Sequence, residues 1–255
     1  MTRALKRFLV SLSLAPQVTH AQSKSTTVLL PREETHHLKN VLRMKEGELC
    51  LLFDSSGYEF VSRIERFLAD DRSEVSLLDP VLPNSQSSSL KLTVAQAIPQ
   101  DRKMDEIVRQ AAELGVYEIT PLITERTIVR ITKDKSPKVI QRWQRIADQT
   151  LKQSRLNRAP KILQPMTLDA LAQNFNSYKR VFILDTSSSA VPIKDYVSTK
   201  IESALLIIGP EGGFSEDEVK KAERLGAKRI SLGEGILKTD TAFVAAVSFF
   251  RLISS

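Results

Sequence analysis

Residues 208–218 read IGPEGGFSEDE, and the reading of this stretch decides the fold. The apolar run that leads into it, Ala204 to Ile208, predicts a strand buried on both faces, as in a parallel sheet covered by helices. Ser215 followed by Glu218 predicts a capping box, so that a helix begins at Ser215 and runs to about Leu225. Between strand and helix, Gly212 and Gly213 allow a sharp bend and a close backbone approach to a ligand. The free N–H groups at the helix start attract a carboxylate or another anion. An ordinary strand-to-helix turn uses the same residue types, but so many of them in a row after a buried strand favour a ligand site. A second segment of the same kind follows at 232–242, LGEGILKTDTA. Here the strand Arg229 to Leu232 enters a glycine-bearing loop, and Thr239 or Asp240 caps a final helix, nearly apolar all round, that reaches Ile253. Two such loops at adjacent strand ends build one crevice, the usual ligand position in an open α/β sheet.

Working outward, the chain before residue 208 alternates in the same way. Strands are predicted at Leu90 to Ala97, Tyr117 to Ile123, Lys161 to Leu163 and Arg180 to Leu184. Helices are predicted at Asp101 to Leu114, where Met104, Ile107, Val108 and Ala111 share a face, at Pro137 to Gln153, and at Leu168 to Phe175. Alternating strands and helices imply an α/β fold with a mostly parallel sheet. Residues 1–80 differ: Leu5 to Val10, Leu49 to Phe53, Glu59 to Phe67 and Glu74 to Leu78 read as strands. One short helix at Glu33 to Arg43 has His37, Leu38, Val41 and Leu42 on its apolar side. That pattern suggests a small β-barrel. The stretch Asp79 to Ser89, with two prolines among serine, asparagine and glutamine, contains the expected linker at 81–89, and 90–255 form the second domain. The basic residues Arg3, Lys6 and Arg7 before the run Phe8 to Ala15 superficially suggest a signal peptide. The run is short and broken by serines, so an edge strand is the preferred reading.

Charge narrows the partner. Between Arg126 and Lys161 stand 11 Lys and Arg against 2 Asp, an excess larger than the +7 of the whole chain, so the remainder is net acidic. A segment this basic suits a polyanion such as RNA, against the plainer reading of a solvated basic helix. Cys50 is the single cysteine, which rules out an internal disulfide and any thiolate zinc cluster. The histidines are His20, His36 and His37, a poor metal set, and their absence from the second half removes a Ser-His-Asp triad there. The chain has no P-loop, no complete dinucleotide fingerprint (Gly233 and Gly235 lack a third glycine) and no nucleophile elbow. No apolar stretch is long enough to span a bilayer.

The ordered set of 208–213 and 232–242 resembles the paired C-terminal motifs of the RsmE family, SPOUT-class methyltransferases that modify N3 of a uridine in 16S rRNA. Supporting segments run the length of the chain: Arg7 to Val10, His37 to Arg43 with Gly47, Glu113 to Val116, Pro121, Glu125-Arg126, Trp143 and Gln153-Ser154. The resemblance implies a trefoil-knotted C-terminal α/β domain with helices on both sheet faces, an N-terminal PUA-like RNA-binding β-barrel, and a homodimer. It also implies a cytoplasmic protein acting on 16S rRNA or the assembled small ribosomal subunit, with no metal and no membrane. S-adenosylmethionine would be held by Leu184, Ile208, Gly209, Gly213, Leu232, Gly233, Ile236, Leu237 and Ala242. Glu211, Lys238 and Asp240 are the implied catalytic groups, and Arg43, Arg126, Arg142, Arg155 and Arg158 the RNA contacts. The sequence departs from the family pattern at Gly235 and Lys238, where the family has arginine, and at Asp240, where it has glutamate. Lys152 stands for an acidic residue, and Leu156 for an arginine whose role Arg155 or Arg158 could take. These departures keep two alternatives open: a non-catalytic rRNA-binding or ribosome-assembly protein on the same scaffold, and a methyltransferase acting on another RNA base.

Overall fold

The computed structural model describes residues 5–10, 14, 26–81, 90–129, 131–132, 134–154, 156, 158–196 and 201–253. Most of the expected linker, residues 82–89, lies outside the described residues, as do Arg155 and half of the run from Phe8 to Ala15. The chain divides into two units, one of residues 1–85 and 151–159, the other of residues 86–150 and 160–255.

In the first unit, β1 (Arg7–Leu9), β2 (Thr27–Leu30), β3 (Leu49–Phe53), β4 (Glu59–Phe67) and β5 (Ser73–Val81) form a sheet of order β1-β3-β4-β5-β2. The β1–β3 pair is parallel and the others are antiparallel, with β1 at one edge. Alternating inward residues, among them Phe8, Leu30, Leu52, Phe60, Ile64 and Val75, make its core. Cys50 lies in this core, and burial pushes its thiol up to about 12. The turn between β3 and β4 is closed by Asp54, whose buried carboxylate accepts from the backbone N–H groups of Leu14, Ser56 and Tyr58 and from the Ser56 hydroxyl. The short helix α1 (Arg32–His36) continues as a π-helical turn over His37–Val41. Its inward stripe differs from the expected one. Glu34, Thr35 and Leu38 are buried, whereas His37 is exposed and Val41 is 61% exposed. The two buried polar residues are compensated by partners: Lys152 pairs with Glu34, and the Thr35 hydroxyl bonds Ser73. Partnered polar side chains therefore fill the face that hydrophobicity alone assigns to His37 and Val41.

In the second unit, β6 (Lys91–Ala97), β7 (Glu118–Ile123), β8 (Lys161–Ile162), β9 (Met166–Thr167), β10 (Arg180–Leu184), β11 (Val191–Pro192), β12 (Ser203–Ile208) and β13 (Lys228–Ser231) form a sheet of order β11-β13-β10-β12-β6-β7-β8, with β9 also on β7. Every described pair in it is parallel. The helices are α2 (Lys103–Glu113), α3 (Ser136–Ser154), α4 (Leu168–Ala172), α5 (Glu216–Arg224) and α6 (Thr239–Leu252). Strand residues alternate between two apolar layers. Ala95, Val181, Ile183, Leu205 and Ile207 pack with Leu168, Leu171, Val219 and Ala222 of α4 and α5. Phe182 points to the opposite face, where its ring lies 5.0 Å from that of Phe250 on α6. Full burial of Phe182, Phe243 and Phe250 contributes about 1.5–3 kcal/mol each. The α2 positions at helical spacing, Met104, Ile107, Val108 and Ala111, are all buried as the pattern predicts.

One topological feature positions the site. β10 lies between β12 and β13. The loops leaving the C-terminal ends of these three parallel strands therefore converge at one edge of the sheet. The two glycine-bearing loops are not on adjacent strands, as the sequence suggested, but flank a third.

Candidate functional site

At that edge lies a cavity of about 460 Å³. All nine residues expected to hold a cofactor line it: Leu184 from β10, Ile208, Gly209 and Gly213 from the first glycine loop, and Leu232, Gly233, Ile236, Leu237 and Ala242 from the second loop and α6. Glu211 and Lys238 also line it, whereas Asp240 does not.

The local structure explains these residue types. Ser215 accepts from the Glu218 N–H while Glu218 accepts from the Ser215 N–H, so the predicted capping box forms and fixes the start of α5. The loop before it turns back tightly, with the Gly213 N–H donating to the Pro210 carbonyl. A Cβ on Gly209 would lie 3.3 Å from the Gly213 Cα and 3.2 Å from the Phe214 ring, so any side chain there would have to push the loop or the ring back by a few tenths of an ångström. Gly233 has φ +120°, a conformation that costs any side-chain-bearing residue about 1–3 kcal/mol.

The second loop differs from expectation at the helix start. Lys238 is the N-cap of α6 and neither Thr239 nor Asp240 caps it. Instead the Thr239 hydroxyl donates to the Gly209 carbonyl at 2.7 Å, tying the second glycine loop to the first. The hydroxyl also accepts from the buried Gln96 side chain on β6. Asp240 sits one residue further into the helix, with one buried carboxylate oxygen that has no hydrogen-bond partner.

Glu211 is held by α2 and the loop before it: Lys103 pairs with it at 2.8 Å and the Gln100 N–H donates to it. Burial acts to raise the Glu211 carboxyl, but the Lys103 hydrogen bond and backbone N–H groups outweigh it and hold the group below the usual carboxylate range. The same contact raises Lys103. Glu211 is thus an ionised, partnered carboxylate of reduced basicity. Arg126, expected as an RNA contact, also donates to the Gly212 carbonyl at 2.8 Å, so it braces this loop. The neighbouring Glu125 N–H donates to Glu218.

An RNA methyltransferase domain family matches residues 86–251, and an RNA methyltransferase PUA domain family matches residues 30–66. Ribosomal RNA small subunit methyltransferase E of Aquifex aeolicus is 31% identical, over 91% of this chain and 97% of its own. The chain belongs to the ribosomal RNA small subunit methyltransferase E family. The Bacillus subtilis family member is 29% identical over 96% of this chain and 95% of its own. The crystal structure of the Neisseria gonorrhoeae member, bound to S-adenosyl methionine, superimposes with a TM-score of 0.80 at 30% identity, covering 98% of each chain.

In this methyltransferase E chain the remaining predicted residues that the structure describes fall outside the cavity. Arg43, exposed with φ 54°, and Arg158 belong to the first unit. Arg142 on α3 pairs with Asp105, which also accepts from the Trp143 indole at 3.0 Å. The basic segment is shared between the units, because residues 151–159 group with the first. Sequence reasoning missed Asp185, Thr186 and Phe214, which line the cavity, and Lys103 and Thr239, which shape it. The available signal for Asp185 and Thr186 was their position just past an apolar strand end. Lys103 carried none, because its partner is 108 residues away. Among the described residues there is no group of three or more His, Cys, Asp or Glu side chains able to hold a metal, and no helix long and apolar enough to cross a membrane.

Proposed function

We propose that this chain is an S-adenosylmethionine-dependent methyltransferase that methylates N3 of a uridine in 16S rRNA, working in the cytoplasm as a homodimer. The observation that carries the reading is the cavity itself. Its volume lies within the ~300–1,000 Å³ of small-molecule sites. Its lining combines apolar side chains from Ile208, Leu232 and Ile236, suited to a purine face, with main-chain groups of two glycine loops and the polar Asp185 and Thr186, suited to hydroxyl and amino groups. Ile236 is 87% exposed, an apolar residue awaiting cover. These residues fit the cofactor, with Leu184, Ile208, Gly209, Gly213, Leu232, Gly233, Ile236, Leu237 and Ala242 as its holders.

The cofactor when bound supplies an electrophilic methyl group. The chain's own task is alignment: the Thr239–Gly209 bond holds two walls of the cavity in register, which would orient a bound cofactor toward the base. Lys238, exposed at the cavity rim, stabilises the negative charge of the deprotonated uracil. Glu211 and Asp240 are the carboxylates assigned to the N3 proton. Glu211 lines the cavity but is weakened as a base by Lys103, whereas Asp240 retains an unpartnered oxygen. Arg43, Arg126, Arg142, Arg155 and Arg158 bind phosphates.

We further assign residues 1–80 to a PUA-like barrel, 81–89 to a linker and 90–255 to a SPOUT domain with a trefoil knot. Insertion of β13 between β10 and β11 supports a threaded chain. For the homodimer, Phe243, Val247 and Phe250 are taken up by the protomer's own core. Support comes instead from the opposite stripe of α6, where Val244 and Phe249 are half-buried and Leu252 is 76% exposed. Mass mapping of 16S rRNA from a deletion strain, with and without the gene restored, tests the function. Loss and recovery of one N3-methyluridine is expected, and an unchanged map refutes it.

A further inference from the structure

Arg229 on β13 lies outside every role assigned so far, yet it is the most connected side chain of the second unit's described contacts. Its side chain is only 6% exposed. One terminal nitrogen donates to the Ser187 hydroxyl at 3.1 Å and the Ser189 hydroxyl at 2.6 Å. The other donates to Glu216 at 3.0 Å and lies 3.6 Å from Glu223. Its Nε is 3.6 Å from Asp185, whose carboxylate in turn accepts from the Ser187 hydroxyl at 2.5 Å. Burial of a guanidinium is costly unless it is paired, and three carboxylates and two hydroxyls surround this one.

The placement of those partners has a consequence for the cavity. Asp185 and Thr186 form its wall beyond β10, and Glu216 is the first residue of the helix that the first glycine loop enters. We propose that Arg229 is a positioning residue for the cofactor cavity, a buried fork that fixes the Asp185–Ser189 wall against the start of α5. The inference rests on the cofactor reading above. Residues 185–190 carry no strand pairing of their own. Their described backbone ties are the Asp185 N–H to Ile230 and the Ala190 N–H to Ser187. The guanidinium reaches hydroxyls on one side and a carboxylate on the other because its donors diverge in a plane; a lysine ammonium at the same place is a single point and cannot span both.

The test uses Arg229→Lys and the double variant Ser187→Ala/Ser189→Ala in the full chain. Three readouts are taken: calorimetric Kd for S-adenosylmethionine, amide hydrogen exchange of residues 185–190 in cofactor-free protein, and separate KM values for cofactor and RNA. The expected result is a rise of about ten- to a hundredfold in cofactor Kd and KM. Faster exchange at 185–190, with RNA KM unchanged, is expected alongside it. Wild-type cofactor Kd in both variants overturns the inference, as does an equal rise in both KM values, which marks general destabilisation. Should Arg229→Lys not fold, the double serine variant decides by the same criteria. Wild-type protein that binds no S-adenosylmethionine overturns the cofactor reading and this inference with it, whereas normal wild-type binding with unaffected variants overturns this inference alone.

Discussion

Thr239→Val isolates the bond that holds the two glycine loops together. Thr239 is 6% exposed and its hydroxyl donates to the Gly209 carbonyl at 2.7 Å. Valine preserves the shape, so packing is retained and only the hydroxyl is lost. The Gln96 amide keeps its 2.9 Å bond to the Ala97 carbonyl, so the substitution strands one acceptor rather than a network. Gly209 is half-buried, which sets the cost near the lower end for an orphaned acceptor, about 1–2 kcal/mol. For a unit of this size each kcal/mol moves the midpoint by roughly 2–4 °C, so the thermal transition of the second unit falls by about 2–8 °C. Differential scanning calorimetry of cofactor-free protein measures this. Thr241→Val, at an exposed position two residues on, is the control and stays within about 0.5 kcal/mol of wild type. A Thr239→Val midpoint indistinguishable from wild type refutes the argument that this bond carries the register of the loops.

Three further outcomes are expected. Glu211 has a folded pKa below its ordinary value, so the stability it contributes is present above about pH 4.5 and lost as pH falls through the folded value; Glu211→Gln removes that acid-side loss, and melting curves between pH 3 and 7 that stay parallel for the two proteins contradict it. Cys50, with its thiol pushed up to about 12, remains protonated at pH 8 and does not react with a thiol-specific disulfide reagent until the first unit unfolds; rapid labelling of native protein rules this out. Arg126→Ala removes the brace on Gly212 and, on the proposed role of Arg126 as a phosphate contact, lowers the slope of log K for RNA against log salt by about 1; an unchanged slope in a filter-binding titration removes Arg126 from the RNA surface.

Much of the local structure was legible because it depends on neighbours in the chain. The capping box of Ser215 and Glu218 spans three residues, the buried face of α2 repeats with the helical period, and the apolar runs of β10 and β12 announce strands covered on both sides. The short helix of the first unit was misjudged at His37 and Val41 for the opposite reason. Its buried face is defined by Glu34 and Thr35, whose acceptability depends on Lys152 and Ser73, and no local pattern reports those partners.

The sequence by itself determined that two glycine-bearing bends follow apolar strands, that a basic segment lies between, and, through its motif set, the family and the chemistry expected of it. Only the tertiary structure decided that β10 stands between β12 and β13, that Glu211 pairs with Lys103, that Thr239 bonds the first glycine loop, and that Arg229 reaches Glu216. The physical reason is separation along the chain. Caps and periodic faces are settled by bonds between near neighbours, whereas these contacts join groups 13 to 108 residues apart, and their geometry exists only once the parallel strands have paired.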